Sequence, residues 1–351
     1  MSRWQYVIKR LAMSVPVVFS VITFLFLVLR LGPLDPVAAR LGQQAQGANV
    51  QRLREELGLD EPLWVQFQDY LVETITFSGE SWVVRNGADV RGMLLEVAGP
   101  TIWLGVWAIV LPLFIGLPLG FYAGLNPNTP SDIIANVSGI IWRSMPNFWL
   151  AVLALGFLRS TNGGGGPFGF NWYTTGPQTQ SAVGTPDLNF ATIGDVFGVP
   201  MLTGVDWSAF FVDAKLILPA ALILGSSSMA AELRLGRTAV LENINSNYVE
   251  TAKAKGLKGR KIVWKHVFRN ALIPLVPIIT SEAFILIGGS VIMEQIFNIN
   301  GLGRMYFRSI QTADVPLAGA IVFLFTVIII SLNIVQDILY TIIDPRVGYD
   351  Q

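Results

Sequence analysis

Residues 248–274 read YVETAKAKGLKGRKIVWKHVFRNALIP, a strongly basic segment between two long apolar stretches. Between Arg234 and Arg269 there are nine Lys and Arg residues but only two acids. Basic loops beside apolar segments stay on the cytoplasmic side of a membrane. The sequence therefore predicts two short helices held at the cytoplasmic face of a membrane protein.

Local signals predict where these two helices begin and end. Asn247 is a suitable N-cap, and Glu250 three residues later would complete a capping box. Gly256 lies where a glycine with positive φ commonly ends a helix. The second helix is predicted from about Arg260 to Asn270.

The composition is that of a membrane protein. Of the 351 residues, 52 % are hydrophobic and 14 % are charged, whereas a soluble domain carries about 25 % charged residues. The chain has no cysteine and only one histidine, His266, which argues against disulfides, cysteine or multi-histidine metal sites and histidine-based catalysis. It also lacks a GxxxxGK[ST] motif, so we do not expect it to bind ATP through a P-loop.

Apolar segments predict an all-α, polytopic fold with six transmembrane helices and both termini in the cytoplasm. The predicted spans are 11–31, 101–125, 133–158, 215–233, 271–293 and 317–340. The segments assigned to the cytoplasm are 1–10, the coupling-type loop 234–270 and 341–351. The segments assigned outside are 32–97, 159–213 and 294–316. Lys and Arg are denser in the segments assigned inside, which agrees with this orientation.

The basic segment resembles the EAA loop of permease subunits in bacterial and archaeal ABC importers. Glu250, Ala252 and Gly256 match its Glu-x-Ala-x-x-x-Gly core, while Thr251 replaces the second alanine of the name. The longer form of the loop, ending at Pro274, is similar to that of the dipeptide/oligopeptide/nickel branch.

Other segments extend this resemblance along nearly the whole chain. Residues 10–36 read RLAMSVPVVFSVITFLFLVLRLGPLDP and resemble the N-terminal signature of the first of the two permeases in peptide importers. The order of Gly and Pro in residues 30–36 departs slightly from the family's Arg-Leu-x-Pro-Gly-Asp-Pro. Further matches are 144–149 (SMPNFW), 218–220 (LPA), 301–303 (GLG) and 344–346 (DPR).

The resemblance implies a type I-like ABC importer permease that forms half of a translocation path. The expected partners are a second homologous permease, two ATPase subunits, an extracytoplasmic solute-binding protein and membrane lipid, with no nucleic acid. ATP and Mg would be bound by the ATPases, so this chain would hold no cofactor, no metal and no catalytic site. In the family the loop docks into a cleft of the ATPase. The residues expected to carry docking are Glu250, Ala252, Lys253, Lys255, Gly256, Arg269 and Asn270.

Two charged residues fall within predicted spans, Arg143 and Glu282. A charge facing lipid costs roughly 2.5–3.5 kcal/mol on insertion scales, so each should face protein or a water-filled path. One interpretation makes them structural packing contacts. The other places Glu282 in the lining of the substrate path, where it would meet a cationic group.

Several alternatives stay open at this stage. The basic loop could be only an amphipathic helix that lies at the membrane interface. Segment 32–97 could be either a small extracytoplasmic cap or a docking surface for a solute-binding protein. Di- or oligopeptides are the expected substrates, with nickel chelates or oligosaccharides as the alternative. A secondary transporter would leave the EAA-like loop unexplained, and an intramembrane enzyme would need a nucleophile–base cluster that the spans do not contain. Segment 159–213 is expected to be mostly irregular surface chain.

Overall fold

The computed structural model describes residues 3–42, 48–160, 185–196, 199–275 and 290–343. This part of the chain is mainly helical. The first five helices, α1 to α5, are Arg3–Leu31, Pro36–Leu41, Ala48–Glu56, Leu63–Thr76 and Val90–Leu125. Helices α6 and α7 are Pro130–Arg143 and Asn147–Ser160.

An antiparallel hairpin follows, with strands β1 (Ala191–Val196) and β2 (Val199–Val205). Helices α8 to α13 are Trp207–Ile244, Asn247–Ala254, 259–271, Ser290–Phe297, Leu302–Gln311 and Val315–Ile343. The hairpin and the start of α8 lie in segment 159–213, where the sequence predicted mostly irregular chain. That prediction was wrong for this part of the segment.

Four described helices are long and apolar enough to cross a membrane: Ile8–Leu31, Val90–Leu125, Trp207–Ile244 and Val315–Leu339. The count is five if α6 and α7 together form one span. The predicted fifth span, 271–293, falls mostly outside the described residues, so the total of six spans stays a prediction.

The segment 133–158, predicted as one span, contains two helices that meet at 92°. The break lies between Arg143 and Asn147, next to Pro146. A proline cannot donate a backbone hydrogen bond, and it disfavours helical geometry in the residue before it. The sequence signal for the break was present, but the apolar composition on both sides hid it.

Helix α5 contains a π-helical turn at Pro112–Gly116. Pro112 removes one backbone donor from the helix, and a local π turn is a common response to such an interruption. From the end of this turn onward, Gly116, Gly120 and Gly124 lie about one helical turn apart and face α8. A Cβ atom on Gly124 would lie 2.8 Å from the carbonyl oxygen of Arg237, so the glycines allow the two helix backbones to approach closely.

The chain divides into two compact units. The first comprises the described residues of Met1–Gly99 and Asn300–Ile334, and the second those of Pro100–Ile299 and Val335–Val347. The core of the first includes Ile22, Leu25, Phe26, Leu29, Tyr70, Val315 and Ala318. The core of the second includes Leu104, Ala108, Ala151, Ile217, Ala220, Leu224, Met293 and Phe297.

A buried carboxylate joins distant segments within the first unit. Asp314, fully buried in the residue position just before α13, accepts hydrogen bonds from the Ser81 hydroxyl (2.6 Å) and from the backbone N–H groups of Val83 and Val84 (both 3.0 Å). Its other oxygen accepts one from the N–H of Trp82 (3.1 Å). These bonds fix the 81–84 turn to the end of the loop before α13.

Candidate functional site

The inner face of α9 is buried against its own chain. Val249 and Ala252 are 0 % and 5 % exposed and pack in a cluster with Val240 of α8 and with Ile262 and Val267 of α10. Ala252 was predicted to carry ATPase docking. The structure places it inward instead, where its small side chain sets how closely α9 approaches α8 and α10.

Helix α9 begins one residue earlier than the sequence indicated. Its N-cap is Ser246, with extended backbone angles, and Asn247 is the first helical residue. The Ser246 hydroxyl donates to the carbonyl oxygen of Asn243 (2.6 Å) and accepts no capping bond from the helix. The predicted capping box between Asn247 and Glu250 was therefore wrong, because the register of the helix start is shifted by one.

The end of α9 matches the prediction. Gly256 has φ of +72°, in the left-handed region that favours glycine. The N–H of Gly256 donates to the carbonyl of Lys253 (2.9 Å), and the N–H of Leu257 donates to that of Ala252 (3.2 Å). These two bonds, with the apolar contact of Leu257 and Ala252 in one cluster, form a Schellman motif. The helix is thus fixed in direction at its C-terminal end.

The outer face of α9 is charged and exposed. Glu250 and Lys253 of α9 and Lys255, its C-cap residue, are all exposed. In the part of the chain that the structure describes, none of these three side chains has a hydrogen-bond or ion-pair partner. Glu250 makes no capping bond, so its carboxylate stays exposed and has no partner among the described residues.

Helix α10 carries the remaining predicted docking residues. It consists of Gly259–Lys261, a π-helical stretch Ile262–Val267 and a last α-helical turn, Phe268–Ala271. Arg269 is exposed. Asn270 is half-buried, and its amide donates to the carbonyl of His266 (2.9 Å), so part of its role is to brace its own helix.

An ion pair beneath this region was missed by sequence reasoning. Arg237 of α8 donates to both oxygens of Asp132 in α6, at 2.6 and 2.8 Å. The carboxylate, 2 % exposed, also accepts from the N–H of Asn128 (2.9 Å) and the amide of Asn136 (2.7 Å). Arg237 stands three residues before Val240, which packs against α9. The pair therefore fixes the part of α8 on which the loop rests.

Of the two candidate intramembrane charges, Arg143 and Glu282, the structure describes only Arg143. Arg143 is exposed at the last position of α6, at the bend before α7, and so it is not in the middle of a continuous span. Glu282 lies outside the described residues. Within the described ranges, no group of three or more Asp, Glu or His side chains could hold a metal ion.

Comparison with known families settles the class. The model of the binding-protein-dependent transport system inner membrane component matches residues 116–349, and that of its N-terminal region matches residues 3–86. The chain belongs to this family. It is a multi-pass membrane permease of the ABC importer type, and the EAA-like resemblance of α9 lies within the matched range.

Curated relatives match over almost the full length. The oligopeptide transport system permease protein AppB of Bacillus subtilis is 29 % identical, over 98 % of this chain and 99 % of its own. A putative peptide transport system permease of Brucella suis is 31 % identical, over 98 % and 99 %. Among solved structures, a chain of the MetNI methionine ABC transporter in inward-facing conformations matches with a TM-score of 0.49 at 19 % identity, covering 72 % of this chain and 97 % of that one.

Proposed function

We propose that this chain is one of two permease subunits in an ATP-driven importer for di- or oligopeptides, and that α9 is the helix through which ATPase subunits drive it. The observation that carries the proposal is the two-sided character of α9. Its inner face and C-terminal end are fixed to its own chain, while its outer face presents Glu250, Lys253 and Lys255 without partners among the described residues.

Helix α8 gives this surface a mechanical connection to the membrane. It has 38 residues, which at 1.5 Å per residue is roughly 57 Å. The hydrocarbon core of a bilayer is about 30 Å thick, so α8 can cross it and still project to the loop. A displacement of α9 would pass through Val240 into α8 as a rigid-body shift, because packed interiors transmit strain.

Peptides are proposed as the substrate because AppB and the Brucella permease carry peptide transport in their names and match end to end. A second, homologous permease would complete the path. A solute-binding protein would deliver the peptide from outside, in keeping with the family's description. The importer would lie in the cell membrane with both chain termini in the cytoplasm.

ATP and Mg would be bound by two partner ATPase subunits, and this chain would contribute no catalytic group. The role of its own residues is then to bind and orient. The exposed charges of α9 and Arg269 of α10 would contact the ATPase, while Ala252 and Asn270 would hold the two helices in place.

Substitutions at two glycines that follow α9 form a matched pair of variants that tests the coupling role of this helix. A Cβ atom on Gly256 or on Gly259 would meet nothing within 4 Å, but only Gly256 has positive φ. Gly256→Ala should therefore strain the helix end by about 1–2 kcal/mol, whereas Gly259→Ala should not. We expect Gly256→Ala to reduce substrate-stimulated ATP hydrolysis of the reconstituted importer and Gly259→Ala to leave it intact.

A second pair of variants tests whether the charged outer face of α9 binds the ATPase. Glu250→Gln should weaken capture of the ATPase by the detergent-purified permease, while the exposed Asp69→Asn in α4 should not. Full capture and full stimulation in both Glu250→Gln and Gly256→Ala would contradict the proposed role of α9.

A further inference from the structure

An apolar groove opens between α5, α8 and α10, within the second unit. Its volume is about 430 Å³. The residues that line it are Leu113, Leu117, Pro118, Phe121, Tyr122, Leu125, Val240, Val263, Trp264, Val267, Phe268 and Leu272. All are apolar or aromatic, and most of them belong to the cytoplasmic half of α5 and to α10 under the proposed orientation.

One wall of the groove is aromatic and partly open. The rings of Phe121 and Phe268 are in contact, tilted by 38° with their centroids 4.9 Å apart, and the ring centroid of Trp264 lies 5.1 Å from that of Phe268. Trp264 is 61 % exposed and Tyr122 is 55 % exposed. A soluble surface would leave such side chains in water at a cost, whereas Trp and Tyr are favoured at the boundary between a bilayer and water.

A basic rim continues from this wall. A second hollow shares Trp264 with the groove and is otherwise lined by Gly256, Leu257, Lys258, Arg260 and Lys261. Its three cationic side chains are exposed and have no ion-pair partner among the described residues. Glu242 and Glu250, the two acids between 234 and 269, line neither the groove nor the rim.

We infer that this groove and rim form a binding site for an anionic phospholipid of the cytoplasmic leaflet, with an acyl chain in the groove and the phosphate at the rim. The inference rests on the proposed orientation, which puts α9 and α10 in the cytoplasm. Charge complementarity identifies the headgroup, because unpaired Lys and Arg beside a membrane attract anionic lipids. The apolar groove favours a lipid over a soluble phosphate, because a soluble phosphate has no apolar chain to fill the groove.

The site suggests why lipid charge would matter to this importer. Helix α10 follows directly from the Gly256 end of α9, and its Ile262 and Val267 pack in the same cluster as Val249 and Ala252. A phospholipid held by Arg260, Lys261 and Trp264 would brace α10, and through it the coupling helix.

The test uses the full chain, purified in detergent with its associated subunits, and native mass spectrometry after addition of dioleoylphosphatidylglycerol or dioleoylphosphatidylcholine. The rim variant is Arg260→Gln with Lys261→Gln. Its charge-matched control is Arg52→Gln with Arg91→Gln, two exposed cations that have no ion-pair partner among the described residues. Trp264→Gln tests the groove wall, and its exposed position makes misfolding a small risk.

We expect the natural chain to retain phosphatidylglycerol at least fivefold over phosphatidylcholine. The rim variant should lose this preference, the control should keep it, and Trp264→Gln should retain less of both lipids. An unchanged preference in the rim variant would overturn the inference, as would equal retention of the two lipids by the natural chain in the assembled importer. ATPase capture, measured on these variants and on Glu250→Gln, distinguishes failure of the lipid site from failure of the coupling role. If Glu250→Gln binds the ATPase fully while the rim still selects phosphatidylglycerol, only the coupling role fails.

Discussion

Asp132 and Arg237, 105 residues apart in sequence, form a bidentate ion pair, in which two guanidinium nitrogens lie 2.6 and 2.8 Å from the two carboxylate oxygens. The carboxylate is buried and the guanidinium is 25 % exposed. The pair fastens α6 to α8 just before Val240, on which α9 packs. The support of α9 therefore depends on a contact between two residues that lie in neither α9 nor α10.

Removing one partner of this pair should destabilise the protein. Arg237→Gln leaves the buried Asp132 carboxylate without its cation, which costs about 3 kcal/mol in comparable buried pairs. We expect Arg237→Gln to lower the melting temperature in detergent. The double variant, Asp132→Asn with Arg237→Gln, should lose less stability than the sum of the losses of the two single variants. The exposed Arg234→Gln on the same helix should stay within about 0.5 kcal/mol. Additive losses in the double variant would show that the pair does not couple the two helices.

Asp314 should be similarly intolerant of substitution in the first unit. Its two oxygens accept four hydrogen bonds, and an asparagine offers only one acceptor oxygen. Asp314→Asn should therefore lower the free energy of unfolding by about 1–3 kcal/mol, since buried donors are left unsatisfied. Asp69→Asn, on an exposed site, serves as the control for thermal melting in detergent. An Asp314→Asn variant as stable as the control would contradict the role assigned to this carboxylate.

The close packing of α5 on α8 predicts opposite effects at two glycines. Gly124→Ala places a Cβ atom 2.8 Å from the Arg237 carbonyl oxygen and should destabilise the protein by about 1–3 kcal/mol. Gly156→Ala, in α7, meets nothing within 4 Å and should stabilise it by about 0.5–1 kcal/mol through helix propensity. Thermal melting of both variants measures the difference, and equal effects would mean that the helices separate without cost.

The orientation in the membrane can be tested on this cysteine-free chain by adding single cysteines. Val72 of α4 and Lys253 of α9 are both exposed. In intact cells, Val72→Cys should react with a membrane-impermeant maleimide, and Lys253→Cys should react only after the membrane is opened. Labelling of both from outside would refute the proposed topology.

Sequence reasoning succeeded where the physical signal is local. The end of α9 at Gly256 was predicted correctly, because a single glycine decides it through positive φ. The start of α9 was shifted by one residue because Ser246 and Asn247 are both good cap residues. The bend near Pro146 was missed because apolar residues on both sides fit one continuous span.

The contacts that support the site could not be predicted from the sequence. Asp132 precedes a predicted span and Arg237 lies in a predicted loop, and no local pattern pairs them across 105 residues. Likewise, Ala252 was placed on the docking surface because motif spacing gives no direction to a side chain. Only the packing of α9 against α8 and α10 shows which face is buried.

The exposed face of α9 is proposed to bind an ATPase subunit. The most direct measurement attaches a photoactivatable maleimide to Glu250→Cys, with Val72→Cys as a matched exposed control, in membranes that contain the whole importer. We expect a cross-link from position 250 to a P-loop ATPase, with a yield that changes when ATP is added, and none from position 72. Efficient labelling at position 250 with cross-links to lipid alone would contradict it, because α9 would then be an interfacial helix and not a coupling helix.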